Sequence, residues 1–264
     1  MANKNKALFL LSTDSLSSYG LDLAFEVAKE AGYDGLDLAL WKNFDAWNVN
    51  YVKKLVKKHD LPIKVIQVSD RVNTKELNQA LDLANAVGAD TIAFTAPSVF
   101  NYRTFNFIVE SLPQLRDQNK DIKFTIINPE DSSLFALPIP KYRFANVVDI
   151  IKKFGCFLWL DVANIDEDAL ENDFMRKIQQ FIPYISVIYF SDKSRQGKTH
   201  ILPGDGILKL SSFLQKVKHG GYDRYFSSKI QIDKKDLADT EKVVMLFKNA
   251  RAYFKEHFED ISEE

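Results

Sequence analysis

The 264-residue chain has a single cysteine, Cys156. No intramolecular disulfide can form, which fits a reducing compartment. Cys156 lies in the apolar run CFLWL with no histidine nearby in sequence, so a buried, inert thiol is expected. Glycine is scarce, at ten residues, and neither a G-x-G-x-x-G motif nor a P-loop occurs. The phosphate-cradling turns of dinucleotide and nucleotide binders are therefore missing. No stretch approaches the roughly 18 apolar residues of a membrane-spanning helix. The apolar run from Ala7 to Leu11 is too short for a signal segment, so a cytoplasmic protein is expected. Charge of one sign is also lacking: 35 basic and 36 acidic residues leave a net charge of −1. That balance gives no general pull toward nucleic acid or an anionic membrane.

What is present is an ordinary globular composition, 46% apolar and 27% charged, at a length that suits one large domain. Short apolar runs of strand length recur at 7–12, 35–40, 63–68, 91–96, 123–128, 156–161, 186–191 and 225–230. Several are continuously apolar, as expected of strands buried on both faces. The last is diluted by Ser227 and Ser228. Helical patterns fill the gaps, at 21–31, about 50–59, 74–87, 103–118, 141–153, 168–181, 208–219 and 240–258. Asn73 is placed to cap the third of these and Glu76 to answer it in a capping box, with Gly88 as its stop. Strand–helix alternation means parallel strands joined by crossovers. Eight repeats in this length predict a single-domain α/β fold over residues 1–264, a closed (β/α)8 TIM barrel. A doubly wound open sheet is the runner-up, but the first strand lacks its glycine-rich turn. In a barrel the loops after the strands form the functional mouth. Two are long: 128–143 and 191–206.

The segments EAGYDGLDLAL (30–40), AVGADTIAFTAP (86–97), IKFTIINPED (122–131), LWLDVANI (158–165), VIYFSDK (187–193), HILPGDGIL (200–208) and GGYDRYFSSKI (220–230) resemble, in order and spacing, the xylose isomerase-like TIM barrels. That family includes sugar and sugar-phosphate isomerases and epimerases, with endonuclease IV as a more distant relative. The resemblance implies a divalent metal held by two glutamates, an aspartate and a histidine at the barrel mouth. This chain departs from that set. The fifth-strand Glu falls on Ile127 or Asn128, the nearby His on Asn164, the seventh-strand His on Tyr189 and the eighth-strand Glu on Lys229; only Asp161 remains. Histidines common at the ends of the third and fourth strands are replaced by Gln67 and Thr95. The chain has four histidines, of which His59, His219 and His257 belong to helices, so only His200 can reach the mouth. A borderline metal wants imidazole, carboxylate or thiolate together, so no metal or other cofactor is expected.

The resemblance implies a sugar or sugar-phosphate isomerase/epimerase-like protein acting on a small polyhydroxylated carbohydrate, without the family's metal. Asp161 and Lys229 are the candidate catalytic pair, with the Lys229 ammonium expected to neutralise Asp161. Asn128, Glu130, Asn164, Tyr189, Asp192, His200 and Trp41 are the candidate substrate-binding residues. Tyr189, Asn128 and Asn164 suit sugar hydroxyls but equally suit an internal network. The loop carrying Asp192, Lys193, Arg195 and His200 reads either as a lid over an anionic ligand or as a solvated surface loop. A non-catalytic barrel that binds a carbohydrate or a partner is the rival function, and a metal-dependent endonuclease the weakest. The expected partner is a small sugar-like ligand, with no nucleic acid and no membrane; a homo-oligomer is compatible with the composition.

Overall fold

The computed structural model describes residues 6–95, 102–128, 133–134, 137–138, 151–153, 155–165 and 175–261. Glu130, most of the segment expected to be the fifth helix, and the first part of the next lie outside the described residues.

Eight parallel strands close into a barrel: β1 (Leu8–Ser12), β2 (Gly35–Ala39), β3 (Ile63–Val68), β4 (Thr91–Phe94), β5 (Lys123–Ile127), β6 (Phe157–Asp161), β7 (Ile185–Tyr189) and β8 (Tyr225–Ser228). Each pairs with its sequence neighbours, and β8 returns to β1 with Leu10 opposite Ser227. The described helices are α1 (Leu21–Glu30), α2 (Val49–His59), α3 (Thr74–Val87), α4 (Tyr102–Gln118), α5 (Met175–Phe181), α6 (Leu210–His219) and α7 (Thr240–Phe254). None of them is long and apolar enough to cross a membrane. The strand and helix pattern of the sequence is thus borne out as a (β/α)8 barrel.

Local chemistry explains the boundaries. Asn73 caps α3 by accepting from the Lys75 and Glu76 N–H groups, and Gly88 closes it in the left-handed conformation, φ 74°. Glu76 does not complete the capping box. Its carboxylate instead accepts from the Ser69 N–H at 2.6 Å and the Ser69 hydroxyl at 2.7 Å, holding the turn after β3. The final strand stops at Ser228, short of the apolar run, because the Ile230 N–H donates to Ser15 Oγ at 2.8 Å rather than to the ladder.

Two cores result from strand alternation. Between strands and helices, Phe9 stacks on Tyr33 and on Phe254, with ring centroids 4.9 and 4.3 Å apart. Inside the barrel a smaller cluster gathers Leu10, Val65, Ala93, Trp159, Val187 and Tyr189. Fully burying such side chains is worth about 1.5–3 kcal/mol each. Cys156 sits buried, its thiol pKa pushed up to about 12 by burial, as the inert reading expects.

Candidate functional site at the barrel mouth

Moving up the barrel toward the strand C-termini, the apolar interior gives way to polar groups. Asp37 on β2 is fully buried, and its Oδ2 accepts from Ser227 Oγ at 2.6 Å. Its Oδ1 is buried without a hydrogen-bond partner among the described residues. Burial pushes the Asp37 carboxyl up to about 7, outweighing Ser227 and the Gln67 amide, which favour the ionised form. Gln67 Nε2 donates to Ser12 Oγ at 3.1 Å, and Ser12 Oγ lies 3.5 Å from the Tyr189 hydroxyl. The Tyr189 phenol is held well above its ordinary pKa, first by burial and then by Asp37 and Asp14. It remains a neutral hydrogen-bonding group.

Asp161 ends β6, 1% exposed. Its Oδ1 accepts from the Ala163 N–H at 3.1 Å, capping the short turn that follows. Its Oδ2 faces His200 Nε2 at 3.5 Å. The other ring nitrogen of His200 lies 3.1 Å from Ser191 Oγ. A neutral imidazole has one donor and one acceptor. An Nε2–H turned to Asp161 therefore leaves Nδ1 to accept from Ser191. His200 adopts φ 58°, a left-handed conformation uncommon for a side-chain-bearing residue, and its carbonyl accepts from the Gln231 N–H at 2.7 Å. The loop thus turns back on itself to bring this histidine, remote in sequence, to the strand end.

Asn128 and Asn164 form an internal brace. Asn128 receives the Asp161 N–H at 2.6 Å and donates to the Asp161 carbonyl at 3.0 Å. Asn164 donates to the Asn128 carbonyl at 3.2 Å. Of the two readings open in the sequence, these contacts are those of the internal network. Asp192 organises the loop after β7. Its carboxylate accepts from the N–H groups of Lys193, Gly204, Gly206 and Leu208 at 2.8–3.1 Å. A Cβ at Gly206 would collide with that carboxylate, so glycine is needed there. Residues 192–193 and 199–201 pair as a short antiparallel hairpin, so the loop has its own structure.

Lys229 points into the mouth but not to the partner expected of it. Its ammonium is 3.1 Å from Asp14 Oδ2 and 5.1 Å from the centroid of the Tyr189 ring. Lys42 reaches Asp14 Oδ1 at 3.5 Å. Burial would raise the Asp14 carboxyl; the Lys229 and Lys42 ammoniums outweigh it and hold it below the usual range. The expected Lys229–Asp161 pair is therefore replaced by two pairs, Lys229–Asp14 and His200–Asp161. Trp41 is half-buried just past β2, with Phe44 and Trp47 more exposed beyond it. A cleft of about 900 Å3 opens between the loops after β1 and β8, lined by Asp14, Lys42, Lys198, Lys229 and Lys234 among others.

Asp14, Asp37, Lys42 and Ser191 were not singled out from the sequence. Asp37 had a signal: a carboxylate alternating with leucines in GLDLAL. Asp14 and Ser191 had none: Asp14 meets Lys229 only once the barrel closes, and Ser191 meets His200 only because the loop between them folds back. Among the described residues no three His, Cys, Asp or Glu side chains come together. The strand ends at which the resemblance puts metal ligands hold one carboxylate, Asp161, already turned to the Ala163 N–H and His200, with an amide turned to backbone, a phenol and an ammonium. That donor set does not fit a divalent metal.

These features define a (β/α)8 barrel with a polar mouth at the C-terminal ends of its strands. Residues 25–250 match the profile of the xylose isomerase-like TIM barrel, and the chain belongs to that family. The structure is similar to a D-allulose 3-epimerase from Methylomonas sp. in complex with D-allulose, at 15% identity, TM-score 0.70, with 98% of this chain and 99% of that one covered. It is also similar to an IOLI protein with a bound zinc atom, at 12% identity and TM-score 0.71, covering 95% and 99% of the two chains. In sequence, the chain is 28% identical over 96 residues to the uncharacterised protein Mb0509 of Mycobacterium bovis. That match spans 33% of this chain and 34% of the relative.

Proposed function

We propose that this protein is a sugar or sugar-phosphate isomerase/epimerase-like enzyme that moves a proton on a small polyhydroxylated carbohydrate without the divalent metal of its family. The observation that carries this reading is the Asp161–His200–Ser191 relay at the end of β6, with His200 Nε2 3.5 Å from Asp161 Oδ2. Asp161 is the base. It takes the proton from the carbon next to the carbonyl, and the C–H electron pair moves through an enediolate onto the carbonyl oxygen. Returning the proton to the neighbouring carbon, while that carbon's hydroxyl passes its own proton to the former carbonyl oxygen, isomerises the sugar; a second proton delivered to the same carbon from the opposite face, with the Lys229 ammonium as donor, epimerises it. His200, with its Nε2 turned to Asp161, orients the carboxylate, and Ser191 fixes the ring. Lys229 supplies positive charge beside the enediolate, the electrostatic task a metal performs in relatives.

One observation favours the rival reading of a barrel that binds without turnover. Asp161 is 1% exposed, and its backbone is braced by both atoms of the Asn128 amide. The test is exchange of substrate hydrogen with deuterated solvent across a panel of ketoses and aldoses, with and without chelator. Exchange should survive chelation and fall about 10²–10⁴-fold in Asp161→Asn. Exchange that depends on added manganese or zinc would sink the metal-free mechanism. Sugar binding with no exchange under any condition would establish the binding barrel instead.

A further inference from the structure

The cleft beside the mouth has a charge pattern of which the proton-transfer site uses only Lys229. Four lysines line it, Lys42, Lys198, Lys229 and Lys234, against two aspartates, Asp14 and Asp233. The excess is two positive charges, in a chain whose net charge is −1. The pairing is uneven as well. Lys42 and Lys229 share one carboxylate, on opposite oxygens of Asp14, while Lys198 meets Asp233 at 3.4 Å. Exposed hydroxyls of Ser17 and Ser18 add neutral donors on the β1 side.

The cleft walls are tied together. Ser15 Oγ accepts from Ile230 N–H at 2.8 Å, and the Tyr19 hydroxyl donates to the Leu237 carbonyl at 2.7 Å. The Gln231 N–H bond to His200 joins the β8 loop to the loop carrying the relay. A surface ruffle would not need three bonds across separate loops. A binding cleft does, because pre-ordered walls lower the entropic cost of holding a ligand.

We infer that this cleft is an anion subsite that receives the terminal phosphate monoester of a phosphorylated sugar whose carbonyl end lies over Tyr189 toward Asp161. The inference rests on the carbohydrate reading above for the far end of the ligand and on the cleft alone for the near end. The dianion matches the excess of two charges; a carboxylate would leave one uncompensated. Lys229 connects the two ends. It lines the cleft, and its ammonium also stands over Tyr189, whose ring is 6.4 Å from that of His200. Asp14 orders Lys42 and Lys229, and the phosphate competes with it for both.

The experiment is calorimetric titration of the full chain at constant ionic strength, which removes general screening as a cause. The probes are inorganic phosphate, D-gluconate, and a matched panel of D-fructose, D-tagatose, D-ribulose and D-xylulose with their terminal phosphate esters. At least one ester should bind ten times or more tighter than its parent sugar, and inorganic phosphate should compete with it. Lys42→Gln with Lys198→Gln should erase that advantage and leave the parent sugar's affinity unchanged. Lys42→Arg with Lys198→Arg should keep most of it, and this pair reads the charge even if the glutamine variant folds poorly. If sugars bind and their phosphates add nothing, the subsite is overturned while the carbohydrate reading stands. If inorganic phosphate binds through these lysines while no sugar binds, the subsite stands and the carbohydrate reading falls. An equal gain with D-gluconate would overturn the assignment to a dianion, and no binding by any probe would overturn both.

Discussion

Asp37 places a carboxyl in the barrel interior where water does not reach, and its removal should change how stability depends on pH. In the folded chain burial pushes its pKa up to about 7, against 3.8 for the free side chain. Below about pH 4 the group is neutral in both states and contributes nothing. As pH rises from about 4 to 7 the unfolded chain ionises while the folded chain holds its proton, so the folded state loses relative stability. Above about 7 the loss is complete. At about 1.4 kcal/mol per pH unit, the full swing is on the order of 4 kcal/mol. Asp37→Asn removes the titration but keeps an acceptor for Ser227 Oγ, which now bonds Asp37 at 2.6 Å. The amide brings its own unsatisfied donors, a cost of about 1–3 kcal/mol at every pH. The informative quantity is therefore the difference between variant and parent at pH 8 minus the same difference at pH 4. It should favour the variant by up to about 4 kcal/mol, or roughly 10 °C in melting temperature for a chain of this size. Asp14 and Lys229 also bear on Asp37 electrostatically, and both remain in the variant. Urea unfolding from pH 4 to 8 measures the two curves. Parallel curves would refute the argument, since they would mean that Asp37 ionises in the folded state as readily as in the unfolded one.

Lys229→Met and Asp14→Asn in a double-mutant cycle should show coupling of about 1–3 kcal/mol, between the limits for exposed and buried pairs. The same cycle with Asp161→Asn should show less than about 0.5 kcal/mol; the reverse ranking would restore the pairing expected from sequence. Asp192→Ala leaves four backbone N–H groups without their acceptor and should free the 199–208 segment at a cost of about 2–4 kcal/mol. Hydrogen exchange should accelerate there and not in β1–β5; unchanged protection of 204–208 would count against the carboxylate as the loop's organiser.

The sequence by itself determined the barrel. Continuous apolar runs of strand length can be buried on both faces only in a parallel sheet covered by helices, and eight of them, each followed by a helical stripe, leave a closed barrel as the compact solution. Asn73 and Gly88 were readable because capping acts over one to four residues. The same locality explains the miss at Glu76: its real partner, Ser69, is seven residues back, across a turn whose path only the fold sets. The polar mouth was legible in outline, since strand ends must supply it, and Asp161, Tyr189, His200 and Lys229 do gather there. Who pairs with whom was not legible. Lys229 takes Asp14, more than two hundred residues away in sequence, because closing the barrel sets β8 beside β1. His200 reaches Asp161 because the loop after β7 folds back around the Asp192 carboxylate. Asp37 looks like an ordinary alternating polar residue until closure shuts out water and lifts its pKa. Burial periodicity is written along the chain, whereas electrostatic partnership depends on distances that exist only once the ring of strands has closed.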